Sequence, residues 1–271
     1  MFRRRDDIEL KTAEQIELMR RAGLVVADAL AAMTRALSPG VTTKELDAVA
    51  EEVIRSAGAV PSFLGYHGFP ASTCLSVNEE VVHGIPGGRR LQAGDVVSMD
   101  CGAIYEGWHG DSAVTVTVGV PTAEQAGLLA ACEDAMWAGL AKAVVGGRLG
   151  DISAAVEQAA RGRGAYGVVE GYGGHGIGSQ MHMDPHVPNV GRAGRGPHLV
   201  AGMALAVEPM LTLGTHAVEE LEDGWTVVTA DGRLSAHFEH TVALTAEGPW
   251  VLTAPDGGRE RLAALGVSTP A

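Results

Sequence analysis

The sequence predicts an α/β (α+β) protein made of two similar halves, and three observations carry that prediction. First, a long–short pair of helices occurs twice. Thr12-x-x-Gln15 and Thr42-x-x-Glu45 are capping boxes that open the first pair; Thr122-x-x-Gln125 and a capping Asp151 open the second. The offsets are 110 residues (Thr12 to Thr122) and 109 residues (Thr42 to Asp151). Second, AGDVVSMD at 93–100 is echoed by AGMALAVE at 201–208, and DSAVTVT at 111–117 by EHTVALT at 239–245. In each half one strand ends in a carboxylate and a later strand begins with one. Ordered internal similarity of this kind points to a duplication. Third, residues 93–119 read as a β-hairpin with strong β-formers on both sides of a turn.

Taken in order, residues 1–10 read as a frayed, flexible terminus. The first helix buries Ile16, Met19, Val26, Leu30, Met33 and Leu37 at helical spacing and ends at Ser38-Pro39-Gly40. The second turns Leu46, Val49, Val53 and Ile54 inward and closes near Gly58. Residues 61–70 hold too much Gly, Pro and aromatic residue for a helix or central strand. In a chain with only 4% aromatic residues, Phe63, Tyr66 and Phe69 in one loop read either as a pocket wall or as rings that pin the loop to the core. Residues 73–77 form a short strand, and His83 sits in the following Gly/Pro-rich turn. In the hairpin, Tyr105 and Glu106 taken as the central turn residues place Asp100 directly opposite Asp111, with Cβ atoms about 4.5–5.5 Å apart. Two carboxylates that close either form a polar rim or share a proton or a cation.

The third helix places Leu129, Cys132, Met136 and Leu140 on one side and stops at Gly146-Gly147. The fourth ends near Gly162. Residues 170–178, EGYGGHGIG, allow close backbone approach and leave His175 unshielded; no Lys-Ser/Thr follows, which excludes a phosphate loop. His182 and His186 are four apart, but Pro185 forbids the helix that a zincin motif needs. Residues 192–197 read as a mobile surface turn. The polar tail from 255 to 271 carries a last helix near 262–265.

Composition bounds the function. The 271 residues are 46% apolar and 20% charged, with 33 acidic and 20 basic side chains and a net charge of −13. That is an ordinary globular balance, and it argues against nucleic acid as a specific partner. Three cysteines make no disulfide framework and fit a reducing, cytoplasmic setting. No run of 18 uncharged apolar residues is present, so no membrane span is expected.

Asp100, Asp111, His175, Glu208 and Glu239 are then the candidate ligands: four carboxylates and one imidazole. Hard oxygen donors with a single nitrogen suit Mn, Fe(II), Co or Mg, with Zn also admissible. Four carboxylates exceed the needs of one ion and point to a two-metal site. The ordered motifs HGIP, SMDC, WHGD, GGHGIG, AVEPM and SAHFEHT, over about residues 12–253, resemble those of the type I methionine aminopeptidases of bacteria. The resemblance implies a "pita-bread" creatinase/aminopeptidase fold, with a curved antiparallel sheet and helices on the outside. It implies one catalytic domain over 11–254, in halves 11–120 and 121–254, and two divalent ions (Co, Mn, Fe(II) or Zn). By the same resemblance Asp111 and Glu239 bridge both ions, Asp100 completes one site, and His175 and Glu208 complete the other. Glu208 acts as base and acid, a metal-bridging hydroxide attacks the first peptide bond, and His83 and His182 hydrogen-bond the scissile amide. Tyr66, Phe69, Cys74 and Trp225 surround the methionine side chain. Phe63 stands where many bacterial relatives have a cysteine, and Phe69 replaces a frequent tyrosine. The implied substrates are nascent chains whose second residue is small; the enzyme would be a monomer, with the ribosome as a transient partner. Alternatives within the fold are a proline-directed aminopeptidase or prolidase and a non-catalytic ribosome-associated protein.

Overall fold

The computed structural model describes residues 8–270. Five helices form among them: α1 (Ala13–Ala36), α2 (Thr43–Ser56), α3 (Ala123–Leu140), α4 (Leu149–Arg163) and α5 (Arg259–Ala264). Thr12, Thr42 and Thr122 each close a reciprocal capping box with the Gln or Glu three residues on. The fourth helix corrects the expectation for Asp151. Its cap is Arg148, and Asp151 lies inside the first turn, accepting from the Arg148 and Gly194 N–H groups, each at 2.7 Å. A carboxylate there satisfies end-of-helix donors and favours the positive helix terminus without being the cap itself. The second bond also ties the exposed 192–197 turn to α4. The third helix stops at Leu140, short of Gly146-Gly147, where Ala143 turns into the core ahead of the β-branched pair Val144-Val145.

Residues 1–7 of the expected frayed terminus lie outside the described residues. The rest of it, residues 8–10, is tethered rather than frayed: Glu9 accepts from the Ser179 N–H at 3.2 Å and from its hydroxyl.

One antiparallel sheet dominates. Along its main path the strands run Val60–Pro61, Val96–Tyr105, Trp108–Thr117, Glu239–Thr245, Ala204–Val207, Gly173–Gly176 and Met183–Pro188. Thr73–Val77 also pairs with Val96–Tyr105, and Gly248–Val251 with Glu239–Thr245. The helices lie against one face. Val97, Met99, Cys101 and Ala103 alternate along their strand and join Val26, Leu30, Met33, Leu46 and Ile54 of α1 and α2 in one apolar cluster. Leu128, Met136, Leu140, Ile152 and Val156 of α3 and α4 pack likewise on Leu205, Val207 and Val242. The opposite face of the same strands is therefore free to carry polar side chains.

α1 approaches the hairpin so closely that only glycine fits at the contact. A Cβ on Gly110 would lie 2.6 Å from the Gly23 nitrogen, against backbone that cannot rotate away. Gly110→Ala is expected to destabilise the protein by about 1–3 kcal/mol, the range for overpacking. Gly162→Ala is expected to stabilise by about 0.4–1 kcal/mol, since α4 has open space there and loses only unfolded-state entropy. Urea unfolding midpoints check both; equal midpoints for the two variants would refute the close-packing argument.

Candidate metal centre

The hairpin register decides where the first two carboxylates fall. Tyr105 pairs with Trp108, so Glu106 and Gly107 are the central turn residues, both with positive φ (48° and 85°). This is the backbone a two-residue hairpin turn demands, and Gly107 supplies it without strain. The expected register is thereby corrected by two residues: Asp100 faces Ala113, and Asp111 faces Gly102. A two-residue shift preserves side-chain parity, so both aspartates still share one face, now as a diagonal pair. The strands also run through the carboxylates, rather than ending or beginning there, because the tight turn lets pairing continue. In the second half Glu239 does begin its strand and Glu208 does follow the end of Ala204–Val207. There a long excursion through smaller sheets replaces the tight turn.

Trp108–Thr117 and Glu239–Thr245 are neighbours in the sheet, and side chains lock their register. The Ser112 hydroxyl donates to the Glu239 carbonyl at 2.5 Å. Thr241 accepts from the Asp111 N–H at 3.1 Å and donates to the Asp111 carbonyl at 2.8 Å. His175 comes from the Gly173–Gly176 strand, where glycines at 174 and 176 let the Ala206 and Asp184 backbone approach to distances no Cβ would permit. The His175 Nδ1–H donates to the Gly176 carbonyl at 3.0 Å. Its Nε2 lone pair thus faces Glu208 Oε1 at 3.5 Å and Asp111 Oδ2 at 3.8 Å.

Asp111, His175 and Glu239 offer ligand atoms that all lie within 4.8 Å of one another, and all three side chains are buried. Asp111 Oδ1, Glu239 Oε1 and Asp100 Oδ1 are buried without a hydrogen-bond partner among the described residues. Burial pushes the Asp100 carboxyl up to about 7, and burial with the neighbouring Asp100 and Glu208 charges pushes Asp111 well above the carboxylate range. Glu239 is raised in the same way by burial and by Asp111. Burial also acts to raise Glu208, but the adjoining imidazoles of His237, His175 and His182 outweigh it and hold the group below its ordinary value. Carboxylates packed so closely with orphaned oxygens and one imidazole fit divalent cations of hard or borderline character.

A cavity of about 120 Å³ opens onto this cluster. All the residues expected at the site line it: His83, His182, Tyr66, Phe69, Cys74 and Trp225 stand with the five candidate ligands. His182 Nδ1 and the Tyr66 hydroxyl are hydrogen-bonded at 2.9 Å. Burial, with the nearby His175, pushes His182 down to about 4, and burial also lowers His83, so both imidazoles are neutral near pH 7. Phe69 and Trp225 meet edge to face with centroids 5.1 Å apart. Phe63 forms part of the wall because Gly102 has no side chain: a Cβ there would meet the Phe63 ring at 3.0 Å. Burial pushes the Cys74 thiol well up, so it stays protonated.

Sequence reasoning missed His237 and Met181. His237 is buried, with Nε2 3.6 Å from Glu208 Oε2, 3.9 Å from Glu239 Oε2 and no hydrogen-bond partner. Its place two residues before Glu239 was the available signal, since alternate residues of extended chain share a side. Met181 lines the cavity beside His182.

The family model described as metallopeptidase family M24 matches residues 17–246. The chain is 52% identical to "Methionine aminopeptidase 1" of Mycobacterium tuberculosis over 259 residues, 93% of this chain and 97% of that protein. It is 46% identical to the protein of the same name from Bacillus subtilis, over 90% of this chain and 98% of the relative. This chain belongs to the methionine aminopeptidases of metallopeptidase family M24. The crystal structure of the methionine aminopeptidase from Thermotoga maritima superposes with a TM-score of 0.89 at 40% identity, covering 91% of this chain and 99% of that one. A prolidase from Pyrococcus furiosus shares the fold alone, at 21% identity and a TM-score of 0.70, and only 65% of its chain is covered. The family's pita-bread architecture is thus the architecture of this chain.

With these carboxyls raised, ion binding at the cluster is expected to depend on pH. A ligand with a pKa of about 7 holds a proton below that pH, and an entering cation must displace it. Calorimetric Mn(II) affinity of the metal-free protein is therefore expected to fall as pH falls from about 8 to about 6, with protons released on binding. Affinity unchanged over that interval would refute the protonated-ligand account.

Proposed function

We propose that the protein removes the N-terminal methionine from nascent polypeptides whose second residue is small. Asp100, Asp111, His175, Glu208 and Glu239 would hold two divalent ions of the Co, Mn, Fe(II) or Zn class. The observation that carries this reading is the placement of an unsatisfied carboxylate cluster at the base of a small cavity walled by aromatic rings and sulfur. When bound, the ions supply Lewis-acid polarisation of the scissile carbonyl and make water acidic enough to attack at neutral pH. Asp111 and Glu239 would be shared by the two ions, with Asp100 completing one ligand set and His175 and Glu208 the other. Glu208 is held below its ordinary value and is therefore unprotonated, so it would be free to take a proton from the attacking water and return it to the leaving amine.

The remaining groups bind and orient. With the Tyr66 O–H donating to His182 Nδ1, the ring proton would sit on Nε2, where it would serve as a donor to the substrate. His83 is the second neutral donor, held at a φ of 61° that few side chains adopt. The methionine thioether gains from Phe63, Tyr66, Phe69 and Trp225 through sulfur–aromatic contacts of about 0.3–1.5 kcal/mol each. A cavity of about 120 Å³ has room for one such side chain. Residues 11–254 form the catalytic unit in this reading, with its two similar halves meeting at Asp111 and Glu239. Buried free cysteines suit a cytoplasmic enzyme that acts on chains leaving the ribosome. Among the described residues no helix is long and apolar enough to cross a membrane.

Turnover of Met-Xaa-Ser peptides, with Ala-Pro-Ala as comparator, tests this reading. Met-Gly, Met-Ala and Met-Ser peptides are expected to be cut far faster than Met-Leu or Met-Lys, and Ala-Pro-Ala to be left intact. His83→Ala and His182→Ala are expected to keep both ions by metal analysis while kcat on Met-Ala-Ser falls roughly 10²–10³-fold, the loss typical of one oxyanion-type donor. Equal cleavage of Met-Leu and Met-Ala would make the protein a general aminopeptidase. Loss of metal from either histidine variant would make that residue a ligand.

A further inference from the structure

His175 and His182 stand near the two ends of one short connection. The strands Gly173–Gly176 and Met183–Pro188 pair at Gly176 and Met183, so only residues 177–182 join them. The two imidazole rings lie 4.3 Å apart between centroids, tilted by 56°. The course of this connection therefore decides where the His182 ring meets the substrate. Backbone bonds fix its first part: the Ile177 N–H donates to the Ala204 carbonyl at 3.1 Å, and the Gly178 carbonyl accepts from the His109 N–H at 3.0 Å. Beyond them Ser179 and Gln180 are exposed.

One side chain from outside grips that exposed bend. Glu9 takes both Ser179 donors, the N–H at Oε1 (3.2 Å) and the hydroxyl at Oε2. Among the described residues, 179–181 make no other hydrogen bond outside the connection. Lys11 braces the carboxylate. Its side chain is 2% exposed, and Nζ donates to the Glu9 carbonyl at 3.1 Å and lies 3.4 Å from Glu9 Oε1. Burial acts to raise the Glu9 carboxyl, but the Ser179 bonds and the Lys11 ammonium outweigh it and hold the group below its ordinary value. Gly178 lets the bend lie directly on this pair, since a Cβ there would overlap both Glu9 Oε1 and Lys11 Cε. The segment itself is held by other bonds. The Lys11 N–H donates to the Gly202 carbonyl at 2.8 Å, and the capping box at Thr12 follows at once. What the Glu9 side chain adds is a fixed bend.

We propose that Glu9, braced by Lys11, is a positioning residue for the reaction: it fixes the bend at residues 178–180 and so sets the His182 ring against His175 and the scissile amide. The proposal rests on the role given to His182 under the proposed function. Glu9 touches neither substrate nor ions, so its effect on the reaction passes through His182. That separates it from a tether that only stabilises the fold, whose loss would be felt whether or not His182 is present.

The test compares Glu9→Ala, Ser179→Ala, His182→Ala and the Glu9→Ala/His182→Ala double variant, each loaded with Mn(II), on Met-Ala-Ser. Glu9→Ala is expected to keep both ions by metal analysis and to lower kcat roughly tenfold, within the loss of up to about 10²-fold that a small misplacement of a reacting group causes. In the His182→Ala background the same substitution is expected to cost nothing further, because residues that act through one another are not additive. Ser179→Ala keeps the Glu9–Lys11 pair, so it strands no buried ammonium, and it is expected to lower kcat in the same direction. A second readout needs no turnover. In the zinc-loaded protein with ring-labelled histidine, the NMR signals missing from His182→Ala are expected to shift in both Glu9→Ala and Ser179→Ala, while those missing from His83→Ala stay in place. An equal fold-loss from Glu9→Ala in both backgrounds, kcat unchanged in the two single variants, or unmoved His182 signals would overturn the proposal. If the wild type does not cut Met-Ala-Ser at all, the proposed function fails, and the histidine spectra still decide whether Glu9 sets the ring.

Discussion

Asp111 and Glu239 are buried on neighbouring strands, each with one oxygen that no described residue satisfies. Leaving a buried polar group unpaired costs about 1–3 kcal/mol, and more when it carries charge. Both carboxyls resist ionisation in the metal-free fold because burial and mutual repulsion oppose it. A divalent cation would reverse that balance, since the proximity that raises the pKa would favour chelation of a cation. The Glu106-Gly107 turn sets the register that puts both aspartates on one face, and the apolar opposite face packs on the helices.

Three features hold the carboxylates in place. Ser112 and Thr241 stitch the two strands together at the carboxylates, one bonding the Glu239 carbonyl and the other bonding Asp111 at both backbone groups. Glycines at 174 and 176 bring the His175 strand close, and Gly102 makes room for Phe63 beside Asp111. The Gly23–Gly110 contact seats α1 directly on the hairpin. Each is a local choice that serves the site as well as the core, the agreement between levels expected of a minimally frustrated sequence.

Much of this arrangement was legible in the residues. The three Thr capping boxes fixed three helix starts because the capping partners are local. The five candidate ligands and the aromatic loop stood out because carboxylates at strand ends, a histidine among glycines, and three rings in an aromatic-poor chain are hard to explain otherwise. What failed was geometry at one or two residues. The hairpin register slipped because Glu106-Gly107 and Tyr105-Glu106 compete as turn centres, and only Gly107 meets the positive-φ requirement. Asp151 was misplaced because a carboxylate at the first-turn position and one at the cap satisfy the same donors. His237 has one local mark, its place two residues before Glu239, and its approach to Glu208 shows only in the fold.

The central claim is that Asp111 serves two ions at once. Calorimetric titration of metal-free Asp111→Ala with Mn(II), on protein shown by circular dichroism to keep the wild-type fold, tests it most directly. If the two sites share this carboxylate, the wild type takes up two ions and the variant binds neither at wild-type affinity. One ion bound by the variant with wild-type affinity would contradict the account.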